Sequence, residues 1–204
     1  MRRTAGSRNA TRVAWWLREA IVTPRSGVPT LRISTAVDVD AGELAGLAAA
    51  TFPLACPPTS PPAAIAAFIS ANLSPERFAE YLADPSRTVL AARTGGRIVG
   101  YAMLIDGAGT DPDVAEAITM RPAVELSKLY VREDSHGSGV AAALMGATVA
   151  HASRAGARCL WLGVNQKNHR AQRFYGKHGF AVVGTKTAPM GPHLEHDYVM
   201  ALRL

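Results

Sequence analysis

Apolar and polar positions alternate along Leu31 to Val37, the spacing of a strand with one buried face. Asp40 then precedes Glu43 by three residues, and Leu44, Leu47 and Ala48 follow at helical spacing. That pattern predicts a helix opened by a capping box. Cys56-Pro57-Pro58 breaks it. A second helix is expected from Pro61 to about Leu73. Ser74-Pro75-Glu76 opens a third, with a capping Ser and Pro at the first helical position. Two β-prone runs, Thr88 to Arg93 and Arg97 to Asp106, flank Thr94-Gly95-Gly96 and read as a hairpin. Residues 107–121 read as a polar connection carrying Asp111, Asp113 and Glu116. A strand over Ala123 to Arg132, a helix over Val140 to Ala155 stopped by Gly156, and a buried strand over Cys159 to Val164 come next. A helix over Arg170 to His178, stopped by Gly179, precedes strands over Phe180 to Thr187 and Tyr198 to Leu204. Strands interspersed with helices define an α/β (α+β) domain built on a mixed sheet.

Composition then fixes the boundaries. The chain has 204 residues, 48% of them hydrophobic, enough for one domain with an appendage. Its net charge of +6 is concentrated at one end: residues 1–30 hold six Arg against Glu19. Residues 31–204 are nearly neutral, which argues against nucleic acid as a partner. The expected organisation is a basic extension over 1–30 and a folded domain over 31–204. Val13 to Leu17 is too short an apolar run for a secretory core, and no run could span a bilayer. Arg12 to Val22 is compatible with a basic amphipathic helix or with a plain solvated arm. Cys56 and Cys159 are too few for a disulfide framework and have no metal-ligand spacing, so a reducing cytoplasm is the default. His193, Glu195, His196 and Asp197 fit no zinc pattern and read as a polar turn before the last strand; no metal is expected.

Chemistry enters with a strand, a glycine-rich turn and a helix: Glu125 to Val131, then His136-Gly137-Ser138-Gly139-Val140-Ala141, then an Ala-rich stretch. A helix start exposes unpaired amides and carries partial positive charge, and glycines let that backbone approach a ligand. The turn therefore suits a pyrophosphate. It lacks the patterns of dinucleotide sites and nucleotide P-loops. A second block follows the next strand: Asn168, Ala171, Phe174-Tyr175, Lys177 and Gly179-Phe180.

These two blocks, in this order and spacing, resemble the acetyl-CoA motifs of the GCN5-related N-acetyltransferase (GNAT) family over roughly 31–204. Glu-Leu-Ser-Lys-Leu-Tyr-Val and the closing His-Asp-Tyr-Val-Met look like the PaiA-type polyamine acetyltransferase branch. The resemblance implies a mixed, mostly antiparallel seven-stranded sheet flanked by helices, with acetyl-CoA as co-substrate. It places the backbone of Leu129, Tyr130 and Val131 along the pantetheine arm in a gap between two splayed strands. The amides of His136, Gly137, Ser138, Gly139, Val140 and Ala141 would then lie at the pyrophosphate, Asn168 on the pantetheine and Tyr175 near the sulfur. His136 departs from the usual Arg or Gln, so weaker or pH-sensitive cofactor binding is expected.

An alkyl ammonium with a pKa of about 10.4 costs about 4–5 kcal/mol to deprotonate at pH 7. A base or desolvation must offset that. The resemblance makes Glu125 the candidate base, a backbone N–H near Leu129 the oxyanion donor, and Tyr175 the acid that protonates the CoA thiolate. The acceptor is expected to be a primary amine of a small molecule, polyamine or amino-acid-like. Asp106, Asp111, Asp113 and Glu116 would steer a polycation. A protein N-terminus or lysine, a non-catalytic acetyl-CoA sensor, and an interaction protein using the basic arm stay open as alternatives. A homodimer is compatible with the sequence, which fixes no oligomeric state; no nucleic-acid or membrane partner is expected.

Overall fold

The computed structural model describes residues 30–57, 59–190 and 193–204. The basic extension, with its Arg12 to Val22 stretch, lies outside them but for its last residue. Seven strands, β1 (Arg32–Thr35), β2 (Arg87–Thr94), β3 (Arg97–Asp106), β4 (Ala123–Val131), β5 (Cys159–Asn165), β6 (Ala181–Met190) and β7 (His193–Arg203), form one sheet in the order β1-β2-β3-β4-β5-β7-β6. Neighbours are antiparallel except β4 and β5, which run parallel.

The apolar runs of β2 and β3 are continuous because both faces of these strands are covered. Val89, Ala91, Tyr101 and Met103 pack under α1 (Ala41–Ala55) and α3 (Pro75–Ala83). Their neighbours Leu90, Ala92, Ala102 and Leu104 pack on the other face against Leu144 and Met145 of α5 (Val140–Arg154). The α5 face also takes Phe174 and Tyr175 of α6 (His169–Lys177). On the α1 face, α2 (Pro62–Asn72) reaches the core through Ile65, Phe68 and Ile69, yet none of its residues is fully buried.

Ser74 caps α3 as its sequence predicts, accepting from the Arg77 amide at 3.3 Å. The capping box expected at α1 is absent: the Asp40 and Glu43 carboxylates are engaged elsewhere. Asp40 accepts from the Val37 amide at 2.9 Å and pairs with Arg93. Glu43 accepts from the Ile98 amide at 2.6 Å, tying α1 to the start of β3. Two further expectations are corrected. The 107–121 connection contains a short helix, α4 (Pro112–Ala117), capped by Asp111, which accepts from the Asp113 and Val114 amides at 3.0 and 3.4 Å. The polar residues expected as a turn belong to β7: Glu195, His196 and Asp197 lie opposite Ala188, Thr187 and Lys186 of β6. The β6–β7 connection, residues 191–192, lies outside the described residues. Cys56 and Cys159 are both free thiols. Among the described residues no helix is long and apolar enough to cross a membrane.

Candidate active site

The site begins where β4 and β5 separate. They pair only through Ala123–Glu125 and Cys159–Trp161. Beyond that point β4 stays bonded to β3 as far as Val131, and β5 stays bonded to β7 as far as Asn165. The two strands therefore part, and the facing peptide groups lack a ladder partner, as a sheet edge does. The opening holds a cavity of about 420 Å³ walled by Leu126 to Val131 on one side and Gly163 to Asn165 on the other.

A bulge at Ser127 sets which side chains of β4 face which layer: Lys128 pairs with Met103, but Leu126 pairs with Leu104. Leu126, Leu129 and Val131 pack toward α5. Tyr130 packs toward the α1 face, beside Tyr101. The Arg132 amide donates to Val99 of β3 at 2.9 Å. Strand alternation therefore turns the peptide groups of Tyr130 to β3 and those of Leu129 and Val131 to the gap. Tyr130 also lines the cavity.

After β4 the chain enters the glycine turn. Gly137 and Gly139 sit at φ +78° and +88°, which only glycine adopts without strain, and a Cβ at either would meet nothing within 4 Å. The Ser138 amide is spent at 3.4 Å on Ser135, and the His136 amide at 3.0 Å on Glu133. Among the described residues the amides of Gly137, Gly139, Val140, Ala141 and Ala142 find no acceptor. They point from the start of α5, where the helix dipole adds positive potential.

His136 links this turn to α6. Its Nδ1 lies 3.2 Å from the Arg170 guanidinium, and its Nε2 lies 3.0 Å from the Val131 carbonyl oxygen. A guanidinium only donates and a carbonyl oxygen only accepts, so Nδ1 accepts from Arg170 and Nε2–H donates to Val131. Arg170 brings a guanidinium to the cavity rim beside His136. The sequence reading missed Arg170; its place directly before Ala171 in the second block was the available signal.

Asn168 caps α6, its Oδ1 accepting from the Ala171 amide at 3.0 Å, and it also lines the cavity. Its carboxamide N–H groups remain for a ligand. Gln172 ties α6 to the end of β5 through the carbonyls of Asn165 and Gln166 at 3.0 and 2.9 Å. This anchoring sets Tyr175 over the cavity between Phe174 and Phe180, with ring centroids at 5.5 and 5.8 Å. Burial pushes its phenol up to about 12.

Glu125 stands at the fork itself, opposite Trp161. Burial raises its carboxyl above the usual range; Lys186 and then Lys128 pull the other way. On the far wall Glu195 accepts from Asn165 Nδ2 at 3.0 Å, and Asp197, also raised by burial, lies beside Lys186. The roof comes from the end of α1 and from α2, where Phe52 stacks on Phe68 at 4.5 Å. Asp106, Asp111, Asp113 and Glu116 do not line the cavity. Among the described residues no group of three or more His, Cys, Asp or Glu could hold a metal.

A strand-like gap takes a chain with peptide groups, and a turn of free amides at one end takes a diphosphate. Coenzyme A carries both, so the fold and site define an acyl-CoA-dependent acyltransferase. The chain belongs to the GNAT acetyltransferase family, whose model matches residues 51–180. It is 57% identical over 165 residues to an uncharacterized N-acetyltransferase of Mycobacterium tuberculosis, covering 81% of this chain and 98% of the relative. The same figures hold for an uncharacterized N-acetyltransferase of Mycobacterium bovis. Among solved structures it resembles a PaiA N-acetyltransferase from Thermoplasma acidophilum in complex with coenzyme A. That match has a TM-score of 0.69 and 16% identity and covers 86% of this chain and 99% of the other. A GCN5-related N-acetyltransferase from Rhodopseudomonas palustris matches at TM-score 0.65 and 23% identity, over 87% and 96% of the chains.

Proposed function

We propose that the protein transfers the acetyl group of acetyl-CoA to a primary amine of a small molecule by direct attack, with no acyl-enzyme. One observation carries this reading. A half-buried carboxylate at the strand fork and a half-buried phenol on α6 belong to opposite faces of the sheet, on either side of the gap that fits the pantetheine arm. The free amides of Gly137, Gly139, Val140 and Ala141 hold the diphosphate, and the Asn168 carboxamide holds the arm. Glu125 takes the proton of the acceptor ammonium, directly or through water. The Leu129 N–H faces the gap and stabilises the carbonyl oxygen as it gains charge. Tyr175 donates to the departing sulfur.

Purified protein with acetyl-CoA should release CoA thiol only when an amine is added, and intact mass without amine should show no acetyl adduct. Binding of CoA with no release across a broad amine panel would favour a sensor, and a stable acetyl adduct would end direct attack. The polyamine branch gains no support from the site, because the acidic residues meant to steer a polycation stand away from the cavity.

Arg170 stands beside His136, where the motif usually has Arg or Gln. Arg170→Ala is expected to raise KM for acetyl-CoA about 5-fold, the scale of an exposed charge-assisted contact to phosphate. KM for S-acetylpantetheine, which has no diphosphate, should not change. Equal effects on the two donors would place Arg170 outside the phosphate site.

A further inference from the structure

The acceptor half of the cavity is polarised. On the β4 wall stands Lys128, and on the β7 wall stand Glu195 and Asp197. Lys128 lies 5.4 Å from the centre of the Tyr81 ring, which Arg87 and Arg77 also approach, at 4.8 and 5.3 Å. Both arginines have a carboxylate: Arg87 bonds Asp84 at 2.9 Å, and Arg77 pairs with Glu80. Among the described residues Lys128 has neither an ion pair within 4.0 Å nor a hydrogen-bond acceptor. A half-buried cation whose one partner is an aromatic face shared with two arginines keeps its N–H groups free for an anion. Burial lowers its pKa to about 8, with Glu125 opposing the shift and Arg87 adding to it. The ammonium is still mostly charged at neutral pH.

The roof above this polar pair is apolar: the stacked Phe52 and Phe68, with Leu54, Cys56 and Pro57 beside them. No residue of α2 is fully buried, so its apolar side chains have capacity left for a ligand.

We propose that the acceptor is an amphoteric amine of the α-amino acid type. Lys128 receives its carboxylate, its amino group points to Glu125 and the acids of β7, and its apolar side chain lies under Phe52 and Phe68. The inference rests on the acyl-transfer reading above and narrows its acceptor. A polyamine would bring a second cation toward Lys128. A peptide N-terminus would bring a neutral amide. Both leave Lys128 unpaired. The transfer balances without a further reagent: the ammonium gives one proton to Glu125, an N–C bond forms, the C–S bond of the thioester breaks, Tyr175 protonates the departing sulfur to give the CoA thiol, and the second nitrogen proton restores the Tyr175 phenol.

The test compares phenylalanine, leucine and methionine with phenethylamine, phenylalaninamide, leucinamide and methioninamide, which lack the carboxylate, and with spermidine. At least one amino acid should exceed its carboxylate-free counterpart by about 10-fold or more in kcat/KM, the discrimination of a site built to pair a charged group. Lys128→Met should remove that preference by lowering the amino acid about 10-fold while holding the counterpart within about 3-fold. Lys128→Arg should restore most of it. The proposal is overturned if no amino acid leads, or if Lys128→Met lowers both partners equally, the mark of a packing role. Thiol release with spermidine or phenethylamine alone would end this acceptor class and leave acyl transfer standing. No release with any amine would end both.

Discussion

Replacing Tyr175 by phenylalanine is expected to lower kcat about 100-fold while the dissociation constant for acetyl-CoA stays within about 3-fold. The substitution removes one oxygen and keeps the ring that packs between Phe174 and Phe180, so α6 and the Asn168 cap should hold. What disappears is the donor facing the departing sulfur. An ordinary thiol has a pKa of about 8.5, so a phenol at about 12 would give up its proton to a thiolate in water at a cost of about 5 kcal/mol. The cavity changes that comparison. The burial that raises the phenol also disfavours the thiolate formed beside it, bringing the two pKa values together. A donor raised this far stays protonated through the working range, so the loss should be nearly constant from pH 6 to 9. Stopped-flow release of thiol, with calorimetry for cofactor affinity, separates the two effects. A Tyr175→Phe enzyme with unchanged kcat would remove the acid role and leave Tyr175 as packing.

The cofactor half was legible in the sequence because its information is local. Free amides at a helix start need glycines with positive φ immediately before it, and Gly137 and Gly139 provide that within four residues of Ala141. Asn168, Ala171, Phe174 and Tyr175 lie one turn apart on a single helix, so their spacing alone brings them to one surface. Central strands buried on both faces showed as apolar runs. Other features depended on distant partners. Asp40 and Glu43 have the spacing of a capping box, but Arg93 and Ile98, more than fifty residues away, compete for the same carboxylates. His136 and Arg170 are 34 residues apart and meet only after α6 docks. The polar stretch from His193 to Asp197 hid the start of β7, because a solvated hairpin arm lacks the apolar alternation that marks a strand. Lys128 was hidden within the cofactor strand. Its burial comes from α1, α3 and the bulge at Ser127, none of which a strand pattern reveals.

Glu125→Gln should cost about 100-fold in kcat/KM near neutral pH, and the size of the deficit should depend on pH. A base acts only when ionised. For the wild-type enzyme kcat/KM therefore rises as pH climbs through the Glu125 pKa, and burial places that limb above the ordinary carboxylate range. Glutamine cannot ionise, so the limb should vanish in the variant. The acceptor has its own titration, with a pKa of about 10.4 for an alkyl amine and lower for an α-amino group, so its free form increases about tenfold for each pH unit up to that pKa. The variant depends wholly on that pre-formed fraction. Its deficit should shrink steadily above pH 8 and nearly close by pH 10, whereas a carboxylate that merely braced the strand fork would leave a gap independent of pH. The same measurement tests where the proton goes. Lys186 and then Lys128 oppose the burial that raises the Glu125 carboxyl, and both favour its ionised, proton-accepting form. A pH-independent deficit would move the base to Asp197 or Glu195, the two carboxylates that line the cavity, whose β4 wall begins one residue beyond Glu125 at Leu126.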